Sequence, residues 1–188
     1  NSQNTEPQVA PTGRYHGVSI FMHWLMVPLI LGLFGVGFWM VDLTYYSSWY
    51  KTTPDIHRSV GILLLLLTVF RLLWRFIAIK PAPVSTHKQW EQKSAHWAHR
   101  VIYLLTLSIM VSGILISTAD GRGIWVFDWF QFPAVGELFD DQADLAGLFH
   151  QYAAYSLMCL VVIHAAGALK HHFIDKDSTL TRMLRVKR

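Results

Sequence analysis

Two histidines near the end of the chain, His150 and His164, have a spacing that indicates chemistry. They are the only histidines in the largely apolar segment 145–169, which contains no Asp, Glu, Lys or Arg. Fourteen residues of α-helix return to within about 40° of the same face and advance about 21 Å. Two imidazoles would therefore point the same way, one near each end of the helix. Because burying an ionisable side chain is costly, this placement predicts a functional role.

Two more histidines lie at matching levels in other apolar segments. His23 follows the start of the first segment, and His57 lies at the start of the second. In antiparallel helices, His23 reaches the level of His164, and His57 reaches that of His150. Facing neutral imidazoles can bind a metal, and haem b iron takes two such axial ligands, whereas zinc usually gathers four ligands at one level. We therefore predict two haem b groups, with packed or hydrogen-bonded histidines as the alternative.

Four further side chains fit this arrangement. Arg71 follows His57 by the same fourteen residues and could bind haem propionates through bidentate hydrogen bonds, unless it extends to the lipid headgroups. His99 is deep enough to rival His23 as a ligand, and periodicity does not exclude it. We predict instead that His96, His99 and His171 line a quinone pocket, where an imidazole exchanges protons. Solvated histidines are the alternative.

Long apolar segments must position these residues. The chain has 188 residues, 53% hydrophobic and 15% charged, with one cysteine, which excludes a disordered chain and a disulfide scaffold. Segments of this length can cross a bilayer, which takes about 20 residues. We predict an all-α integral membrane protein, a four-helix up-and-down bundle, with helices at about 18–41, 56–79, 96–118 and 145–171. The predicted parts are a flexible leader (1–14), a membrane domain (15–175) and a basic tail (176–188).

The charges of the connections predict the orientation. Basic residues concentrate between the second and third helices and after the fourth, whereas connection 119–144 carries six acidic residues and only Arg122. The positive-inside rule then places both termini in the cytoplasm. We expect the aromatic and acidic connection 119–144 to cover the outer haem and to offer a docking surface to a periplasmic partner; a passive interfacial loop is the alternative. The net charge of +4 reflects this asymmetry, so we predict no nucleic-acid binding.

Several motifs follow one another along the chain together with the His150/His164 pair, namely FMHW at 21–24, IH at 56–57, FRLLWR at 70–75, AHWAHRVIY at 95–103 and ALKHHF at 168–173. In this order they resemble the bacterial cytochrome b561 family, and the resemblance extends from residue 15 to 183. It implies two b haems and electron exchange with the membrane quinone pool. It also implies that His23 pairs with His164 and His57 with His150, so that His99 is not an iron ligand.

One activity in the family is oxidation of superoxide on the outer side, with electrons passed to ubiquinone. A basic entrance should steer this anion, but the outer connection is acidic, and only Lys51, Arg58 and Arg122 could form a local positive entrance. We predict a di-haem b protein of the bacterial inner membrane that exchanges electrons between ubiquinone and a periplasmic donor or acceptor, superoxide being one candidate. The alternatives are a cytochrome b membrane-anchor subunit serving a separate redox enzyme or respiratory complex, and a histidine-based metal transporter.

Overall fold

Four long helices dominate the fold. The structure is a computed structural model, and it describes residues 15–78, 81–82 and 87–184. The predicted leader, 1–14, lies outside the described residues. The helices are α1 (Gly17–Met40), α2 (Thr52–Ile77), α3 (Gln89–Thr118) and α4 (Gln142–Phe173), and a short α5 (Thr181–Leu184) follows. Each of the four long helices is apolar enough to cross a membrane. The predicted membrane bundle of four helices is confirmed.

The helices pack mainly in two pairs, α1 with α2 and α3 with α4, and α2 joins the pairs through α3. Met26, Leu64 and Met110, one from each of α1, α2 and α3, form a buried cluster. Large apolar side chains such as Phe38, Phe76 and Val162 remain exposed. An apolar outer surface around a small core is what lipid-facing helices require.

Helix α3 begins at Gln89, earlier than the predicted residue 96. The backbone N–H of Lys88 donates a hydrogen bond to the Glu91 carboxylate over 2.9 Å. This contact satisfies one of the groups left free at a helix start. The first turns are polar and largely exposed, so apolar periodicity could not show this start.

The connection between α3 and α4 contains a β-hairpin that the all-α prediction did not include. Strand β1 (Ile124–Val126) pairs antiparallel with β2 (Phe130–Phe132), and Phe127 and Asp128 between them both have positive φ, as a type I′ turn requires. Ile124 and Val126 pack against apolar residues of α2 and α3. The Ser59 hydroxyl donates to the Trp125 carbonyl and accepts from the Phe127 N–H, both over 3.2 Å. The hairpin is thus fastened to the end of the bundle.

The predicted basic tail does not extend freely over its described part, 176–184. The Trp24 indole N–H donates to the Met183 carbonyl over 2.7 Å, and the Arg182 guanidinium donates to the Ala82 carbonyl over 2.8 Å. These contacts hold the segment after α4 against α1 and the α2–α3 connection.

Candidate functional site

A cavity of about 670 Å³ lies between the four helices at the end that carries the hairpin. Its walls are largely apolar, and His57 and His150 are among the polar residues that line it. Ligand pockets typically have volumes of about 300–1,000 Å³ and present few polar groups on apolar walls. The cavity therefore suits a large, mostly apolar group.

The imidazoles of His57 and His150 face each other across this space. Their ring centres are 6.2 Å apart and their planes lie at 64°. A metal–imidazole nitrogen bond is about 2 Å long and the ring centre lies about 1 Å beyond the nitrogen, so two trans imidazoles on one metal have ring centres about 6 Å apart. The spacing of His57 and His150 matches that value.

The surrounding backbone fixes the tautomer of His150. Its Nδ1 lies 2.8 Å from the Ile109 carbonyl oxygen and 3.1 Å from the Ser112 hydroxyl. A carbonyl only accepts hydrogen bonds, so Nδ1 carries the proton and Nε2 keeps its lone pair. An imidazole that donates its second N–H to a carbonyl is the usual arrangement of a metal ligand.

The His57 ring has fewer hydrogen bonds than the His150 ring. Its Nδ1 is buried and has no hydrogen-bond partner among the described residues. Buried polar atoms are normally paired, so an orphan of this kind calls for an explanation. A metal coordinated by this nitrogen would satisfy it.

Gly37 and Gly113 leave room for the imidazole rings of His57 and His150, because glycine has no Cβ atom. A Cβ atom at Gly37 would lie 3.1 Å from Cε1 of His57, and one at Gly113 would lie 3.3 Å from Cε1 of His150. Among the described residues, no atom beyond the local helix backbone lies within 4 Å of a Cβ at Gly32 or Gly35. We call the space that Gly37 and Gly113 leave for the two imidazoles the cradle. Together with the unpaired His57 nitrogen, the facing imidazoles and the apolar cavity, the cradle fits haem b, which takes two axial histidines.

The cradle gives a testable prediction. Gly37→Val should weaken haem retention because its side chain would displace the His57 ring, and overpacking of this kind costs about 1–3 kcal/mol, or about fivefold or more in affinity for haem. Gly35→Val, on the same helix, is the matched control and should retain wild-type haem. Haem per chain, measured in purified protein after extensive washing, gives the answer. Equal haem loss in both variants would contradict the cradle.

The opposite end of the bundle holds a second group of side chains that could do chemistry, three histidines and an arginine. The ring centres of His99 and His164 are 5.0 Å apart. The Arg71 guanidinium lies 3.3 Å from Nδ1 of His23 and 3.3 Å from the Met26 sulfur. Arg71 therefore points into the bundle, where the structure brings it to His23.

Tyr103 is part of this second group and was missed at the sequence level. The guanidinium carbons of Arg71 and Arg75 each lie 5.6 Å from the centre of its ring. Arginine over an aromatic face is a favourable arrangement. The contact holds both cations toward α3, and the AHWAHRVIY motif was the only signal that drew attention to this position.

His171 lies apart from these rings, in a polar cluster at the end of α4. Its Nδ1 is 2.9 Å from the Asp177 carboxylate, and the carboxylate also contacts His87 at 2.8 Å. Burial disfavours ionisation of Asp177, but hydrogen bonds to Thr179 and His87 outweigh this effect and hold the pKa of Asp177 below its usual range. His87 was missed because it lies in a polar connection, far from His171 in sequence.

The charged residues at the mouth of the cavity are paired. Arg58 forms an ion pair with Asp55, and the Arg122 guanidinium donates to Asp120 over 2.8 Å. The hydrogen bonds from Arg122 lower the pKa of Asp120, so this carboxylate stays ionised and offsets the arginine. Two of the three cations expected to form a positive entrance thus have their charge balanced locally.

Comparison with known proteins assigns the chain to a family. The sequence matches the family described as prokaryotic cytochrome b561 over residues 14–185. The chain belongs to the prokaryotic cytochrome b561 family. The resemblance seen in the sequence motifs is therefore confirmed, and the chain is a multi-pass protein of the bacterial inner membrane, with the haem b binding and membrane electron transfer of that family.

Several characterised relatives align along nearly the whole cytochrome b561 chain. Cytochrome b561 homolog 2 of Escherichia coli is 47% identical over 171 residues, which cover 91% of each chain. The probable superoxide oxidase CybB of Yersinia pestis is 30% identical over 186 residues, covering 93% of this chain and 98% of its own. Cytochrome b562 of Cereibacter sphaeroides is 30% identical over 176 residues, covering 91% of this chain and 95% of its own.

Proposed function

We propose that this cytochrome b561 carries electrons between ubiquinone and a periplasmic reactant through two haem b groups, one near each membrane surface. The observation that carries the proposal is the His57–His150 pair, with ring centres 6.2 Å apart at a largely apolar cavity of about 670 Å³. We propose further that both termini face the cytoplasm, as the charge asymmetry predicts.

In this proposal His57 and His150 hold the outer haem, and His23 and His164 hold the inner one. When bound, haem b supplies reversible one-electron exchange between ferric and ferrous iron. The 5.0 Å between the ring centres of His99 and His164 is shorter than the about 6 Å that two trans imidazoles on one metal need. This spacing supports His23 over His99 as the partner of His164.

A hydrogen bond at the outer site and a positive charge at the inner site favour haem binding. Ile109 keeps the His150 lone pair on Nε2, so the imidazole needs no change of tautomer to bind metal. Arg71 brings a positive charge into the interior at the inner level, where it would pair with haem propionates. Charge and hydrogen bonding around a haem are the means by which a protein sets its potential.

We place ubiquinone exchange at the inner end, near His99 and His171. Quinone reduction takes up protons as well as electrons, and an imidazole is suited to exchange them near neutral pH. His171 contacts the carboxylates of Asp175 and Asp177, which supports a path for protons between the aqueous surface and this end of the bundle.

Transmembrane electron transfer provides the functional test. In proteoliposomes that contain a ubiquinol analogue, external ferricyanide should oxidise the quinol faster than in protein-free vesicles. His150→Ala should remove this acceleration because the outer haem would be lost, whereas His96→Ala, an exposed position on α3, should retain it. Equal acceleration by the His150→Ala variant would contradict the proposed route.

Superoxide is the candidate outer reactant suggested by the name of the Yersinia pestis relative. The charge at the cavity mouth argues against strong steering, because Arg58 and Arg122 are each paired with an aspartate. Association of an anion with such a mouth should be slower and less sensitive to salt than at a basic entrance. We therefore propose superoxide as a substrate that reaches the outer site without electrostatic attraction.

A second function is favoured by the surface of the hairpin. Trp125 and Trp129 are 57% and 72% exposed, beside the acidic residues of the same connection, and exposed aromatic groups are common at protein interfaces. Under this proposal the protein anchors a separate redox enzyme in the membrane and conducts electrons for that enzyme. A stoichiometric partner that co-purifies from native membranes would favour the anchor, whereas quinol turnover by the isolated protein favours independent action.

A further inference from the structure

A second cluster of potential metal ligands lies where α4 ends and the chain turns back. His171 follows His164 by seven residues, a rise of about 10 Å along the helix, so the cluster is well beyond the level of the inner histidines. Its members come from three places in the sequence: His87 before α3, His171 at the end of α4, and Asp175 and Asp177 in the following turn.

The ligand atoms of this cluster converge. Nε2 of His87 and Nδ1 of His171 contact the same carboxylate oxygen of Asp177, over 2.8 and 2.9 Å. Asp175 also reaches Nδ1 of His171, over 2.8 Å. The two imidazole ring centres are only 4.3 Å apart. The ligand atoms of His87, His171 and Asp177 all lie within 4.8 Å of one another, so two nitrogens and one carboxylate point at one small volume.

The backbone of the turn holds the two carboxylates in place. Lys176 has a φ of 51°, a left-handed conformation that reverses the chain between Asp175 and Asp177. The Asp177 N–H donates to the His171 carbonyl over 3.0 Å, and the Thr179 N–H donates to the other Asp177 carboxylate oxygen over 2.8 Å. A carboxylate already oriented by a hydrogen bond on its second oxygen resembles the supported ligands of metal sites.

Burial and charge also favour a cation. The side chains of His87, His171 and Asp177 are 14%, 15% and 5% exposed, and His87 and Asp177 border a cavity of about 290 Å³. Three carboxylates, of Glu91, Asp175 and Asp177, face this cavity or His171, against the two lysines Lys88 and Lys170. One negative charge remains in excess when both histidines are neutral.

We propose that His87, His171 and Asp177 bind a divalent metal ion of the zinc class, with water as the fourth ligand. Imidazole nitrogens combined with carboxylate oxygens are a zinc-type set, and ligand atoms about 2 Å from a tetrahedral zinc lie about 3.3 Å from one another. The contacts of 2.8–2.9 Å from His87 and His171 to Asp177 need to open only slightly to admit the ion. The metal would tie the end of α4 to the start of α3.

Zinc binding to the whole protein tests this site. The full chain, purified in detergent with a tag free of histidine, is treated with EDTA, desalted and dialysed against graded ZnCl2, and zinc and iron are measured by elemental analysis. Wild-type protein should bind about one zinc per chain, and Asp177→Asn and His87→Gln should each weaken the affinity at least about tenfold. His172→Gln is the matched control, since the His172 ring packs against Phe173, and it should bind as wild type does.

A second readout does not depend on the variants folding. Saturating zinc should raise the thermal midpoint of wild-type protein, because a ligand that binds only the folded state stabilises it. Absence of saturable zinc binding by wild-type protein, or an equal affinity in wild type, Asp177→Asn and His87→Gln, would overturn the proposal. In that event the cluster is held by hydrogen bonds alone.

Discussion

Replacing His150 with alanine should halve the haem b bound per chain while the four helices remain folded. The His150 ring stands 6.2 Å from that of His57, so its loss leaves the outer iron with one axial ligand. The inner pair is separated from it by the fourteen residues between His150 and His164, about 21 Å along α4. His57→Ala should have the same effect, and combining the two substitutions should cause no further loss. Haem quantification per chain measures the outcome.

His96→Ala is the control for this prediction, because it also removes an imidazole from a helix but from an exposed position. It should retain the haem content of the wild type. Circular dichroism at equal protein concentration verifies that the variants keep their helices. Loss of both haems from a folded His150→Ala variant would contradict two independent sites, because it would mean that one site depends on the other.

Replacing His23 with alanine should remove the inner haem, whereas replacing His99 should leave it bound. The ring centres of His99 and His164 are 5.0 Å apart, which is too close for two trans imidazoles on one iron. His164→Ala should match His23→Ala. The content of haem b should therefore fall by about half in the His23 and His164 variants and stay near wild type in the His99 variant.

The contact between Arg71 and His23 affects how His23 can bind iron. Because a guanidinium only donates hydrogen bonds, its contact with Nδ1 of His23 leaves the proton of the neutral ring on Nε2. Arg71 must release His23 before Nε2 can bind iron, and a haem propionate offers the guanidinium a better, charged partner. Loss of about half the haem on His99→Ala, with His23→Ala unaffected, would reverse the assignment of the inner ligands.

Much of this architecture could be predicted from the sequence because membrane helices follow from length and composition alone. Each of the four helices is an apolar segment long enough to cross a bilayer, and each was located by that property. The pairing of His57 with His150 likewise follows from depth, because antiparallel helices of similar length bring residues at matching depths together. These are consequences of geometry that need no knowledge of side-chain packing.

Contacts between distant segments could not be predicted in the same way. The cluster around Asp177 joins His87 to a turn 90 residues later, and no periodic pattern links the two. The hairpin turn uses Phe127 and Asp128 at positive φ, where the Asn-Gly or Asp-Gly signal of such turns is missing. Similarly, nothing in the sequence separates Gly37, which touches His57, from Gly35, which has no such neighbour.

The central claim is that this cytochrome b561 holds two haem groups, each between two imidazoles. The most direct measurement is a reduced-minus-oxidised absorption spectrum of the purified wild-type protein, combined with haem quantification per chain. We expect about two haem b groups per chain, both with the low-spin spectrum that bis-histidine ligation produces. A fully assembled protein with no haem, or with a single one that persists in the His57→Ala, His150→Ala double variant, would contradict the account.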